Sequence, residues 1–129
     1  MPALAFQDPL TGLANRRQFD QALNAAIAAL PRAGASHAVL LLDLNGFEQV
    51  NDVYGHGIGD ELLTILAKRL VTAVRGGDLV ARLGGDEFAI LALHLMGAEA
   101  ATSIAIRVLH ALEEPVSSII RSDRESELP

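Results

Sequence analysis

The chain has 129 residues, half of them hydrophobic and 4% aromatic, with a formal net charge of −6, which is one domain's length with an aliphatic core. That charge disfavours a nucleic-acid partner, since a protein that wraps a phosphate backbone carries excess Lys and Arg. Cysteine is absent, so no disulfide forms, no apolar run approaches the length that spans a bilayer, no signal peptide is evident after Met1, and cytoplasm is the default location.

Asp8-Pro9-Leu10-Thr11-Gly12-Leu13 opens with turn chemistry. Phe19, Leu23, Ala26, Ile27 and Leu30 then recur at helical spacing, and Pro31 and Gly34 stop that helix. The run Ala38 to Leu42 reads as a short strand covered on both faces. It ends at Asp43-Leu44-Asn45-Gly46-Phe47, and a short helix is expected over Gly46 to Asp52. Asn51 to Asp60 holds three glycines and reads as a loop. Leu63, Leu66, Ala67, Leu70 and Val74 share one face of the next helix, which Gly76-Gly77 ends. Two apolar runs, Leu79 to Leu83 and Phe88 to Leu93, flank Gly84-Gly85-Asp86-Glu87 and predict a tight hairpin with both acids lifted to its tip. Ala101, Ile104, Ala105, Val108, Leu109 and Leu112 form a last amphipathic helix, closed by Pro115. The polar stretch 117–129 is expected to be an unordered tail.

Adjacent carboxylates on a turn repel one another, and a divalent cation with a taste for hard oxygen ligands, Mg²⁺ or Mn²⁺, would remove the repulsion at Asp86 and Glu87. A solvated acidic turn is the bland alternative. Asp43 at the carboxyl end of a buried strand stands where open α/β sheets place ligands, and it equally suits a helix N-cap. The spacing Asp43-x-Asn45 invites comparison with an EF-hand, which fails at Phe47 and Tyr54. No P-loop or dinucleotide fingerprint is present. His56 reads as a structural residue of its turn, and His37, His94 and His110 as surface or packing residues.

Four motifs together resemble the GGDEF domains, the diguanylate cyclases. They are Asp8-x-Leu10-Thr11-Gly12-Leu13-x-Asn15-Arg16-Arg17-x-Phe19, Asp43-Leu44-Asn45-x-Phe47, Asn51-Asp52-x-x-Gly55-His56-x-x-Gly59-Asp60, and Arg82-x-Gly84-Gly85-Asp86-Glu87-Phe88. The likeness runs from about Asp8 to Pro115, so 1–116 is expected to be the domain. It implies an α/β, ferredoxin-like, nucleotide-cyclase-like βαββαβ core with flanking helices and no candidate for the final strand. It implies condensation of two GTP into cyclic di-GMP by a homodimer. Asp43, the Leu44 carbonyl and Asp86 would hold Mg²⁺ or Mn²⁺, and Asp86 with Glu87 would help take the hydroxyl proton. Asn51 and Asp60 would read guanine, with Phe47 beside the substrate. Arg75 and Asp78 match a product-inhibition motif, for which a helix end with an incidental ion pair is the alternative. Ala111-Leu112-x-x-Pro115 resembles domains joined to an EAL phosphodiesterase, and an attached sensor domain is a further expected partner.

The sequence departs from that family at three places. Glu48 stands where the family has a phosphate-contacting Lys, and Asn45 where Asp is frequent. Nothing after Pro115 resembles the family's last strand, with its Ser-x-Gly pattern, or the helix carrying a second phosphate-binding Lys. The intact signature favours a cyclase. These departures favour a degenerate module that binds GTP or cyclic di-GMP and regulates an attached domain, or a fragment that does not fold stably.

Overall fold

The computed structural model describes residues 5–29 and 33–113. The expected tail at 117–129 and the helix stop at Pro31 lie outside them. The elements are α1 (Arg16–Ala28), β1 (Ala35–Asp43), α2 (Phe47–Tyr54), α3 (His56–Ala73), β2 (Leu79–Gly84), β3 (Glu87–Met96) and α4 (Ala98–Glu113). The strands form one antiparallel sheet in the order β1-β3-β2. This is the ferredoxin-like arrangement with β3 at its centre, and among the described residues β1 is paired on one side only.

Side chains alternate across the sheet with a period of two. Phe88, Ile90 and Ala92 of β3 join Val80, Leu63, Leu70, Ile104 and Val108 in the core under α3 and α4. Ala89 and Leu91 point the other way, to Phe19 of α1. Leu95 returns to the α3–α4 core because the ladder shifts between Ser36 and Ala38, where Leu93 and His94 together oppose His37. One extra residue on β3 restores the phase.

Two expectations fail here. β1 is covered on one face only: Ala38, Leu40 and Leu42 pack on the α3–α4 core, while Val39 and Leu41 are 43% and 74% exposed. The cause is reach, since α1 lies over β2 and β3 rather than β1. The glycine-dense stretch 51–60 is not a loop. α2 runs to Tyr54 and α3 starts at His56, with Gly55 (φ 89°) as the whole break. Gly57 and Gly59 lie within α3.

The opening turn is tied to the sheet. Asp8 accepts from the backbone N–H and hydroxyl of Thr11 at 2.8 and 2.7 Å, and Asn15 caps α1 by accepting from the Gln18 N–H at 3.0 Å. Ala14 then bridges in parallel to Ala81, on the outer edge of β2.

Candidate functional site

The hairpin and the end of β1 meet at one end of the sheet. Gly85 takes φ 46°, a left-handed turn conformation open to glycine. Asp86 is at the tip, whereas Glu87 is already the first residue of β3 and pairs with Asp43, so only one of the two acids is lifted out of the sheet. The Leu44 N–H donates to the Asp86 carbonyl at 3.2 Å and locks the β1 end to the tip. The Asp86 carboxylate beside it holds the Asp43 carboxyl above its ordinary range, helped by desolvation and Glu87 and opposed by a backbone bond at Leu44. Two carboxylates brought together next to the backbone of Leu44 form a hard oxygen donor set that suits a divalent cation. No group of three or more acidic or imidazole side chains suited to a metal occurs among the described residues, so such an ion would lean on backbone oxygen or its own ligands.

Arg82 braces the tip. Its Nε and Nη2 donate to the Gly85 carbonyl at 3.0 and 2.9 Å, and its Nη1 to Asp8 at 2.9 Å. The side chains of this ion pair are only 16% and 13% exposed. The opening turn therefore holds the hairpin, a role that the motif alone did not disclose. The one available signal was an Arg close before a Gly-Gly turn, whose fork can satisfy turn carbonyls.

Phe47 opens α2, and Asn51 sits one turn further on. A Cβ on Gly59 would overlap Asn51 Oδ1, lie 2.8 Å from its Cγ and 3.4 Å from the Phe47 ring. Thus glycine at 59 lets α3 close onto α2. Asn51 Oδ1 is buried with no hydrogen-bond partner. Asp60 is exposed on α3, next to that contact. Glu48 is exposed in the first turn of α2, where an acid suits the helix dipole. His56 is exposed as the first residue of α3.

Arg75 and Asp78 lie at the other end of β2, a strand's length or about 20 Å from the tip. They are bound to each other by Arg75 Nε (3.0 Å) and Nη2 (2.7 Å). Burial raises the Asp78 carboxyl, but the Arg75 side chain and the N–H groups of Arg75 and Leu93 more than reverse that and hold it below its ordinary range. His37 and His94 meet across β1 and β3 with ring centroids 5.0 Å apart.

A ferredoxin-like sheet with an acid-lined end and a Gly-Gly hairpin defines a nucleotide-cyclase-like domain. Residues 5–124 match the profile of the GGDEF domain, diguanylate cyclase, and the chain belongs to that family. Over 112 residues it is 45% identical to the bifunctional diguanylate cyclase/cyclic di-GMP phosphodiesterase MucR of Pseudomonas aeruginosa, which takes in 87% of this chain and 16% of MucR. The GGDEF domain of TpbB from the same species superposes with a TM-score of 0.79 at 38% identity, over 84% of this chain and 63% of that one. The GGDEF domain of DgcB from Caulobacter crescentus, solved in complex with c-di-GMP, gives 0.72 at 31% identity, over 83% and 63%. The family works in cyclic di-GMP signalling and is generally metal-dependent. No helix of the described residues is long and apolar enough to cross a membrane.

Proposed function

We propose that this domain condenses two GTP into cyclic di-GMP, two copies facing each other with one nucleotide on each. The observation that carries this reading is the meeting of Asp43, at the end of β1, and Asp86, at the hairpin tip, at one sheet end beside Leu44. Asp43, the Leu44 carbonyl and Asp86 would hold Mg²⁺ or Mn²⁺, which when bound supplies positive charge against the phosphates. Asp86, with Glu87 beside it, accepts the proton of the 3′ hydroxyl as that oxygen attacks the α-phosphate of the other nucleotide and pyrophosphate leaves. Asp60 accepts from guanine N1–H and N2–H₂, donors that adenine lacks at that edge. The orphaned, buried Oδ1 of Asn51 marks an acceptor awaiting a donor, and the Phe47 ring packs beside it. Arg75 and Asp78 bind the product, with the guanidinium turned to phosphate and to guanine's acceptor edge. An attached EAL or sensor domain would supply the output or the signal, and the cytoplasm the GTP.

Glu48 favours a second reading, in which the domain binds GTP or cyclic di-GMP without turnover and regulates an attached domain. The test is incubation with GTP and Mg²⁺, with cyclic di-GMP and pyrophosphate measured by mass spectrometry. Appearance of both supports the cyclase. Saturable GTP binding without product supports the binding module, and neither activity nor binding overturns both.

A further inference from the structure

The bulge on β3 carries an arrangement that neither the hairpin nor the acidic end uses. His94 has φ 53°, the one non-glycine residue in the left-handed region among those described. Its backbone N–H donates to His37 Nδ1 at 3.1 Å. That nitrogen acts as the acceptor, and the other ring nitrogen, Nε2, is buried with no partner. Among the described residues, the hydrogen bond to the His37 ring is the one from the His94 N–H.

The residue just before His94 is Leu93, whose backbone faces the opposite way. The ladder between β2 and β3 reaches only Leu79 and Leu91. Beyond it, the Leu93 N–H donates to Asp78 Oδ1 at 3.3 Å, and the Leu93 carbonyl accepts from Arg75 Nη2 at 2.6 Å. Arg75, 40% exposed, is aimed by two anchors: Asp78, which is 1% exposed, and the Leu93 carbonyl. The Leu93 carbonyl and the His94 N–H belong to one trans peptide plane and so point to opposite sides, the carbonyl to Arg75 and the N–H to His37.

We infer that His37 is a positioning residue for the Arg75–Asp78 pair: from β1 it holds the His94 N–H, and with it the peptide plane whose Leu93 carbonyl aims the guanidinium. The inference rests on the reading of Arg75 and Asp78 as the product site for its functional consequence, but not for its structural content. No direct contact links His37 to Arg75, so the effect runs through the backbone of β3. A ligand that draws Arg75 away would release the Leu93 carbonyl, and the same peptide would feel the loss of His37.

The test uses the full chain, ¹⁵N-labelled, as wild type, H37L and H37N. Asn offers an acceptor oxygen near the place of Nδ1, and Leu offers none. Three quantities are read: hydrogen exchange of the Leu93 amide, the Arg75 Nε–H resonance, and affinity for cyclic di-GMP by calorimetry. We expect H37L to lose protection at Leu93 by about tenfold, the scale of one hydrogen bond, with the Arg75 resonance moving toward its free position. We expect H37N to restore both, and cyclic di-GMP affinity to fall and recover in parallel. An H37L protein that keeps Leu93 protection and the Arg75 resonance overturns the inference, as does H37N behaving like H37L. Should H37L not fold, H37N against H37Q, whose longer side chain displaces the acceptor, makes the same comparison. If wild type does not bind cyclic di-GMP, the product-site reading fails, and the exchange and resonance data still decide the role of His37.

Discussion

The Arg82 guanidinium is the residue on which the geometry of the acidic end most depends. It joins the Gly85 carbonyl at the tip to Asp8 in the opening turn, 74 residues earlier. Both side chains of that pair are largely withdrawn from water, so removing one partner leaves the other uncompensated. Arg82→Ala should therefore cost about 2–3 kcal/mol in chemical denaturation. In a double-mutant cycle with Asp8→Ala the two losses should fall short of additivity by about 1 kcal/mol or more, and strict additivity would show that the pair is idle. Gly59 presents the opposite balance. Ala is favoured over Gly in a helix interior by about 1 kcal/mol, yet its Cβ would displace the Asn51 side chain. Gly59→Ala should leave the melting temperature nearly unchanged while GTP affinity falls about tenfold, the scale of one misplaced hydrogen bond in a substrate site. Lower stability with unaltered affinity would place Asn51 outside the site.

At the scale of elements, the Arg75–Asp78 turn makes a prediction in pH. The folded state holds the Asp78 carboxyl below its ordinary range, so its contribution is fully present above the unfolded value of about 3.9 and is lost as pH falls through the folded one. Stability should thus decline more steeply with acid in wild type than in Asp78→Asn, read from denaturation midpoints between neutrality and pH 3; parallel curves would contradict this. The elements themselves differ in how far the sequence disclosed them. The β2–β3 hairpin was legible because two apolar runs flank a Gly-Gly turn, and α1, α3 and α4 because their apolar residues recur at helical spacing. The stretch from Asn51 to Asp60 was misread because glycine density signals a loop, whereas one glycine, Gly55, makes the break and another, Gly59, serves helix packing. The apolar run of β1 suggested cover on both faces, but which face a helix reaches is a property of tertiary packing. The His37–His94 contact had no sequence signal, since a bulge sets the register that brings the rings together. The acids of the candidate site were legible by type, but Glu87, expected at the tip, opens β3 instead, and the brace at Arg82 was not legible, because its partner is distant in the chain.

At the scale of the whole molecule, the question is whether a chain of net charge −6 with an acidic sheet end can hold a polyphosphate. Glu48 bears on this directly. It is exposed in the first turn of α2, next to Phe47; in the proposed GTP site a carboxylate there would repel phosphates that a Lys would attract. A unit charge pair at ~4 Å is worth about 4 kcal/mol at an effective dielectric of ~20, and much less in open water, so Glu48→Lys should tighten GTP binding by about tenfold at low salt. Because the residue is exposed, that gain should shrink as ionic strength rises; an equal gain at high salt, or none at low salt, would mean that Glu48 faces away from the nucleotide. The central claim is that the paired acids at the ends of β1 and the hairpin build a metal-dependent GTP site. The most direct measurement is calorimetric titration of GTP into wild type, Asp43→Ala and Asp86→Ala, each with Mg²⁺ and with EDTA, with folding checked by circular dichroism. The account predicts saturable binding to wild type only in the presence of Mg²⁺, and its loss in both folded variants. GTP binding that ignores Mg²⁺, or that survives removal of either acid, would contradict it.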